Sequence, residues 1–165
     1  TMPTIHNPAA VVMPQECRGA IAEIARRHGL HIIEDDIAAR CMEDPLQPIA
    51  AMAPEFTIYL TSLSKTVAPG PRIGFLHSPE KLIERQASIV GASAWMAPPL
   101  TAELATSWIK DGTAERILDS RRAEAVARLA LARNKLPGQC ISATPGCHHL
   151  WLTLPEPWRA ADFTA

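Results

Sequence analysis

The stretch TSLSKTVAPGPRIG, residues 61–74, decides the fold of this chain. It overlaps the end of the β-rich run Phe56–Ser62, so that Lys65 comes just after a predicted strand. A turn rich in proline and glycine then leads to Arg72. An amine beside a packed strand can lose its proton through desolvation and attack a carbonyl group. The stretch therefore predicts a reactive lysine at a strand end.

Hydroxyl and guanidinium groups stand close to that lysine in the sequence. Ser62 and Ser64 offer hydroxyl donors, and Arg72 offers a planar fork that matches a phosphate group. Taken alone, a Ser-x-Ser-Lys sequence is an ordinary strand end. The specific feature is a strand followed by a lysine and a Pro-Gly turn that ends in arginine, and it predicts a phosphate-bearing ligand.

Two further loops carry polar groups that suit the same ligand. The apolar run His31–Asp35 closes on acids, and Asp35 is a suitable partner for a protonated ring nitrogen. Asn7 and Pro8 stand before the first predicted helix. In an open α/β sheet, ligands bind at the carboxyl ends of the strands. Each motif alone is typical of a solvated turn or a helix cap, and only the combination indicates a site.

Hydrophobic periodicity predicts an open α/β sheet with helices. The segment Gln15–His28 has the pattern of an amphipathic helix, with Pro14 at its start and Gly29 after its end. The connection from Cys41 to Pro54 is long unless a short helix lies within it. The other predicted elements are the strands Phe56–Ser62 and Arg72–Leu76, the helices Leu100–Lys110 and Thr113–Leu136, and a late strand, His149–Leu154.

The composition is that of one globular domain without a surface for nucleic acid or membrane. The 165 residues are 47% hydrophobic and carry a net charge of −1, so no overall field favours either partner. No apolar run is long enough to span a bilayer, and residues 1–15 lack the pattern of a signal peptide. A cytoplasmic location is therefore expected. Arginines and acids alternate over residues 113–136, which predicts a salt-bridged helix face.

The cysteines predict reduced and mostly buried thiols. Cys17, Cys41, Cys140 and Cys147 form no Cys-x-x-Cys pair, which argues against a redox motif or a zinc ribbon. The run Cys147-His148-His149 contains metal-binding side chains, but adjacent residues on a strand point to opposite faces. No metal site is predicted.

These motifs together resemble those of a known family. Residues 61–74 resemble the pyridoxal-phosphate (PLP) lysine signature of the fold-type I, class I/II aminotransferases. His6-Asn7-Pro8 resembles the Asn-Pro loop of that family, Ile32–Asp36 resembles its aspartate strand, and Gly146–Leu152 resembles the strand that opens its small C-terminal domain. The Glu-Asp-Asp sequence, the Arg26–Leu30 segment and the late His-Leu-Trp-Leu are most similar to GntR/MocR-type regulators, which join a winged-helix DNA reader to an aminotransferase-like domain.

The resemblance implies PLP as the cofactor and a role for each candidate residue. Lys65 would hold PLP as a Schiff base and would move the Cα proton in a transamination. Asp35 would pair with the pyridine nitrogen, and Asn7 would bind the phenolic oxygen. The cofactor phosphate would be held by the remaining candidates, Ser62, Ser64 and Arg72.

The resemblance also implies a fold, a domain division and partners. The implied fold is the open, mostly parallel α/β sheet of the PLP-transferase large domain, running into the small C-terminal domain. Residues 1–110 are expected to form the second half of the large domain, and residues 111–165 the interdomain helix and the start of the small domain. A homodimer is implied, with Ala94–Pro99 near the neighbouring site, although Trp95 is equally suited to core packing.

Three functions remain open at this point. The first is the effector-sensing domain of a GntR/MocR-type regulator, which would bind PLP or an amino-acid-like effector and reach DNA only through an N-terminal domain absent from this chain. The second is a catalytic aminotransferase that transfers an amino group to a 2-oxo acid through Lys65. The third is a structural domain whose lysine never meets PLP.

The chain departs from the family pattern in two ways. The family commonly has a tyrosine after the aspartate, whereas this chain has Ile37 and Ala38, and this difference favours the sensor. The family's phosphate loop and ring-stacking aromatic precede the Asn-Pro loop, and its substrate-carboxylate arginine lies further toward the C-terminus. A fragment with part of a cofactor site is therefore expected.

Overall fold

The computed structural model describes residues 1–138 and 140–163 of the chain. The first part contains helix α1 (Gln15–His28), strand β1 (Ile32–Asp35), a 3₁₀ turn (Ala39–Cys41), helix α2 (Ile49–Met52), strand β2 (Thr57–Ser62), helix α3 (Leu63–Thr66) and strand β3 (Gly74–His77). The second part contains helices α4 (Glu80–Ala94), α5 (Pro99–Lys110) and α6 (Thr113–Lys135), strands β4 (Cys140–Ser142) and β5 (Trp151–Thr153), and helix α7 (Ala160–Phe163).

The main sheet has the strand order β1-β2-β3. Strands β1 and β2 are parallel, with Asp35 opposite Leu60, whereas β3 is antiparallel to β2, with Gly74 opposite Ser62. The sheet is thus mixed in its described part, because the short Pro-Gly connection after β2 holds only a one-turn helix and a parallel crossover needs a dozen or more residues. The amino group of Thr1 donates to the Ile33 carbonyl at 2.7 Å, which adds the N-terminal residue to the free edge of β1.

The two faces of β1 differ sharply in burial. Ile32 packs with Ala22 and Ala25 of α1 and with Ile49 of α2. Ile33 points the other way and is 58% exposed. Successive side chains of a strand point to opposite faces, so this alternation shows that one face of β1 is covered and the other is open within the described residues.

A second apolar cluster packs the end of β2 against the later helices. Leu63 and Val67, in and just after α3, lie with Ile73 against Ala105 of α5. Helix α6 packs alongside through Ala114 and Ile117, and its Leu118 is buried. This cluster fixes the position of α3 relative to the sheet.

Most of the predicted elements are confirmed. Helix α1 has the predicted bounds, and Gly29 ends it in a left-handed conformation with φ 62°. The predicted short helix in the long connection is α2, and α6 carries ion pairs such as Arg122–Asp119 at 3.0 Å, as expected for a salt-bridged face. Among the helices that the structure describes, none combines the length and apolar character that crossing a bilayer would require.

Several expectations are wrong or incomplete. Helix α4 was not predicted, and none of its side chains is buried. Core packing of Trp95 is wrong, since this side chain is 78% exposed just beyond the end of α4. The prediction of mostly buried thiols holds for two of the four cysteines: Cys41 and Cys147 are buried, whereas Cys17 and Cys140 are exposed.

A fully buried arginine ties the N-terminal segment to the core. The guanidinium of Arg18 donates to the carbonyls of Pro3, Met13 and Gln47 and to the Thr4 hydroxyl, at 3.1–3.3 Å. The side chain has no exposed surface. Buried polar groups need such partners, so Arg18 and the three carbonyls depend on one another.

We expect Arg18→Ala to lower the free energy of unfolding by about 3 kcal/mol or more, because three buried carbonyls lose their donor. Urea denaturation followed by circular dichroism measures the change. Arg27→Ala, at an exposed position on the same helix, is the control and should cost less than about 1 kcal/mol. Equal losses in the two variants would contradict the assigned role of Arg18.

Candidate cofactor site

Lys65 lies in a one-turn helix directly after β2. Ser62 ends the strand and begins α3, and its hydroxyl accepts a hydrogen bond from the backbone N–H of Ser64 at 3.3 Å. Serine is a favoured residue at this position, because its oxygen satisfies a free N–H of the first turn. The side chain of Lys65 is exposed, whereas a lysine packed beside the strand was expected. The difference follows from the sheet face above it, which the described residues leave open.

Lys65 and Asn7 line the same small cavity. Its volume is about 50 Å³, and its walls include Ile37, Ala38 and His148. This volume is well below the roughly 300 Å³ of an ordinary ligand pocket, so the cavity accommodates the end of the lysine and not a whole cofactor. The two positions at which the family's tyrosine is missing, Ile37 and Ala38, both face this space.

The paired acids after β1 point to opposite sides. Asp35 is partly exposed, and one of its carboxylate oxygens accepts the N–H of Ile37 at 3.4 Å. Asp36 is 2% exposed and receives the hydroxyl of Tyr59 at 3.3 Å. A buried carboxylate was expected at Asp35, and the structure buries its neighbour, because strand alternation turns Asp36 toward the core. Asp35 is the acid that a ligand on the open face can reach.

The buried acids form a polar cluster that the sequence patterns did not reveal. Both oxygens of Glu34 accept backbone N–H groups at the start of α2, from Ile49 at 2.9 Å and Ala50 at 2.8 Å. Burial raises the pKa of Glu34, whereas these two hydrogen bonds lower it. Burial likewise raises the pKa of Asp36, whose Oδ1 has no hydrogen-bond partner in the described part of the chain. The sequence signal for this cluster was the two-residue alternation of the strand, which places Glu34 and Asp36 on the same face as the buried Ile32.

The three predicted phosphate ligands do not share the cavity of Lys65. Ser62 lines a separate cavity beside α5 and α6, and its hydroxyl already caps α3 through Ser64. Arg72 is exposed, has φ 57°, and donates to the Pro69 carbonyl at 3.4 Å. The structure thus brings Lys65 together with Asn7 and leaves these three residues outside that space.

The C-terminal segment closes over the backbone of Lys65. The Lys65 carbonyl lies 3.2 Å from Nε2 of His148 and 3.8 Å from Sγ of Cys41. Nε2 of His148 also lies 3.5 Å from Sγ of Cys41, so the imidazole, the thiol and the carbonyl form one polar contact. His149 makes the equivalent contact to the His6 carbonyl at 3.3 Å. The two histidines therefore connect the late segment to both loops that flank the lysine.

A close backbone contact seats this segment. Gly146 has φ 85°, and a methyl group added there would overlap the carbonyl oxygen of Cys41. The hydroxyl of Thr144 donates to the Ala10 carbonyl at 2.9 Å, which fixes the other end of the turn. Only glycine combines this φ with this approach. In the described part of the chain, no group of three His, Cys, Asp or Glu side chains is placed to hold a metal ion.

The parallel strand pair places a lysine and a carboxylate at the carboxyl ends of its strands, with an amide nearby, which is where open α/β sheets bind their ligands. The chain belongs to the aminotransferase class I and II family, whose model matches residues 2–154. The expected fold is thereby confirmed, and so is PLP as the cofactor of the family.

Curated relatives are of two kinds, regulators and enzymes. The chain is 30% identical to the uncharacterized HTH-type transcriptional regulator YdeF of Bacillus subtilis over 98% of its length, which is 35% of that protein. It is 36% identical to YisV, of the same description and organism, over 93% of its length and 33% of that protein. The chain therefore spans about a third of the relatives that it matches.

Among solved structures, the chain is similar to Pyrococcus horikoshii kynurenine aminotransferase, whose crystals contained PMP, substrate and product. The TM-score is 0.81 at 25% identity, over 98% of this chain and 42% of that one.

The residues present fit one end of PLP. The amine of Lys65 and the amide of Asn7 line the cavity, and the carboxylate of Asp35 accepts the N–H of Ile37 in its wall without lining it. These groups suit an aldehyde carbon, a phenolic oxygen and a pyridine nitrogen. The phosphate end is not assembled in that cavity by the residues described.

We expect Gly146→Ala to lower the free energy of unfolding by about 3 kcal/mol, because it adds backbone strain and a clash with the Cys41 carbonyl. Gly29→Ala is the matched control. Gly29 also has a positive φ, 62°, but an added methyl meets nothing within 4 Å, so strain alone should cost about 1 kcal/mol. Urea denaturation of both variants measures the difference, and equal costs would refute the close contact.

Asp36 predicts a pH dependence of stability. Its pKa is raised above 3.8 in the folded chain, so the folded chain holds this proton more tightly than the unfolded chain does. The contribution of Asp36 is therefore complete below pH 3.8 and is lost as the pH rises through the raised value. The stability of Asp36→Asn relative to the native chain should increase over that range in urea denaturation. Asp44→Asn, which removes an exposed carboxylate, is the control, and identical slopes for the two variants would contradict the prediction.

Proposed function

We propose that this chain is part of the PLP-binding, effector-sensing domain of a GntR/MocR-type transcriptional regulator. The observation that carries the proposal is the wall of the Lys65 cavity, where Ile37 and Ala38 present apolar side chains in place of a phenol. A hydrogen bond to the cofactor's phenolic oxygen tunes its reactivity. A sensor needs cofactor binding without turnover, and this wall suits that task.

Three residues would hold the ring end of the cofactor, which supplies an electron sink when bound. The amine of Lys65 would bind covalently, Asn7 would donate to the phenolic oxygen and Asp35 would pair with the pyridine nitrogen. The proposal also assigns Ser62, Ser64 and Arg72 to the phosphate. Ser62 would then have to share its hydroxyl with the Ser64 N–H that it now accepts.

The likeness to the HTH-type regulators YdeF and YisV supports the sensor. Their names describe HTH-type transcriptional regulators, and this chain corresponds to about a third of each. We assign residues 1–110 to the large domain and residues 111–165 to the interdomain helix and the small domain. DNA contact would come from a separate N-terminal domain, and a cytoplasmic location belongs to the same proposal.

A homodimer is part of this proposal. The segment Ala94–Pro99 would approach the neighbouring subunit, and the 78% exposure of Trp95 is consistent with such a role. Exposed aromatic side chains of this size are frequent at protein interfaces.

A catalytic aminotransferase is the second candidate. The observation in its favour is the TM-score of 0.81 to the kynurenine aminotransferase, together with a lysine free to react in the Lys65 cavity. In that case Lys65 would also accept and return the substrate Cα proton, and an amino acid and a 2-oxo acid would be the substrates.

Absorbance spectroscopy of the 165-residue chain with PLP tests cofactor binding. We expect a band at roughly 420 nm, the region in which a lysine-linked cofactor absorbs. Lys65→Ala should abolish this band, whereas Lys110→Ala, an exposed lysine at the end of α5, should retain it. Absence of the band from the native chain, or its persistence in Lys65→Ala, would overturn the assigned site.

Turnover separates the two candidates. The PLP-loaded chain is incubated with amino acids and 2-oxoglutarate, and the new 2-oxo acid is measured. A sensor should bind an amino acid, seen as a change in the absorbance band, without releasing product. Product formation that Lys65→Ala abolishes would establish the enzyme.

A further inference from the structure

A second, larger cavity lies on the far side of the histidines that contact the Lys65 loop. It is bounded by α6 and by the segment Cys147–Leu150, and its volume is about 500 Å³. This volume is within the range of roughly 300–1,000 Å³ that small-molecule sites occupy. His148 and His149 line both cavities, so they form the wall between them.

The charges around this cavity are mostly positive and are not balanced. Arg121 and Arg128 line it with two positive charges, and Glu124 is the one acid among the lining residues. Glu124 is already paired with Arg128 at 2.6 Å. Arg121 has no acidic partner among the ion pairs of the described residues, whereas Arg122 and Arg128 of the same helix do.

The guanidinium of Arg121 is partly desolvated and lacks a partner. Its Nη1 is buried, and no acceptor for it exists in the part of the chain that the structure describes. A buried donor without an acceptor lowers the stability of the fold. Natural sequences retain such a destabilising group when it has a function. Arg18 shows the contrast, since all three nitrogens of its buried guanidinium donate hydrogen bonds to other residues of the chain.

Arg121 also acts on two titratable groups next to the cavity. Burial lowers the pKa of His148, and the charges of Arg121 and Lys65 lower it further, against the hydrogen bond to the Lys65 carbonyl, which raises it. Burial raises the pKa of Cys41, whereas Arg121 and Arg122 lower it. An anion in the cavity would therefore enter a region of positive potential.

The rest of the lining is apolar and suits an organic molecule better than a bare inorganic ion. Ala125, Leu129 and Ala132 present one strip of α6 toward the cavity, and Leu150 faces it from the late segment. Sites of this kind combine an apolar body with a few placed polar groups.

We infer that this cavity binds a small organic carboxylate, with Arg121 as the anion-binding group and the α6 strip as the seat of the apolar part. Carboxylates match the planar guanidinium fork in a bidentate way. The site is distinct from the cofactor site, and His148 connects the two, since it lines this cavity and its Nε2 lies 3.2 Å from the Lys65 carbonyl. A bound carboxylate thus acts on the backbone of the lysine loop through one imidazole.

Calorimetric titration of the full 165-residue chain, without PLP, tests the site. The probes are hexanoate, its neutral analogue hexanamide and inorganic phosphate. We expect saturable binding of hexanoate and at least about tenfold weaker binding of both hexanamide and phosphate, because only hexanoate offers both a carboxylate and an apolar body. Equal binding of hexanamide would overturn the role of charge. Equal binding of phosphate would overturn the organic ligand, and no binding of hexanoate would overturn the site.

Three variants locate the anion-binding group. Arg121→Gln should weaken hexanoate binding at least about tenfold, and Arg121→Lys should lose less, because it keeps the charge without the fork. Arg133→Gln removes an exposed arginine of the same helix outside the cavity, and it should bind as the native chain does. Unchanged binding in Arg121→Gln would refute the inference.

Thermal unfolding of the same variants separates a ligand role from a structural one. A guanidinium that serves a ligand should be replaceable without loss of stability, so the Tm of Arg121→Gln without ligand should equal or exceed that of the native chain. A Tm well below the native value would assign Arg121 to the fold and overturn the proposed role. The test needs no cofactor, so its failure leaves the cofactor site of the proposed function untouched.

Discussion

The parallel pairing of β1 with β2 is the constraint on which the rest of this structure depends. Because the two strands run in the same direction, the chain leaves both at one edge of the sheet. The 3₁₀ turn Ala39–Cys41 and the one-turn helix that carries Lys65 are neighbours for that reason. The late segment then bridges them, with His148 and Cys41 meeting the same Lys65 carbonyl. Reversal of either strand would separate the amine from the amide and the carboxylate.

Strand alternation accounts for much of what the sequence could predict and for one expectation that failed. The patterns around α1, β1 and β2 are local, and local patterns locate elements well. The same alternation decides that Asp36 enters the core and Asp35 does not, although a buried carboxylate was expected at Asp35. Either acid is plausible from composition alone. The register against α2, where Glu34 meets two backbone N–H groups, settles which face is inside.

The rest of the site depended on contacts between distant parts of the chain. His148 reaches Lys65 across 83 positions, and Arg18 reaches Pro3 and Gln47 in opposite directions along the chain. No periodic pattern encodes such pairs. Helix α4 was missed although Ile83, Ala87 and Val90 recur at helical spacing, and none of its side chains is buried. The roles of Asn7, Ser62, Ser64 and Arg72 came from the resemblance and remain assignments to be tested.

The contact between Gly146 and Cys41 constrains the residue type at the first position and not at the second. The glycine meets a carbonyl oxygen, a group that every residue possesses. Replacement of the Cys41 side chain therefore leaves this contact in place, whereas any side chain at position 146 removes it. This contact therefore tolerates substitution at position 41 and excludes substitution at position 146. In a comparison of natural variants, position 146 would be an invariant glycine that does not covary with position 41, because the Cys41 side chain is constrained by its own burial and not by this contact.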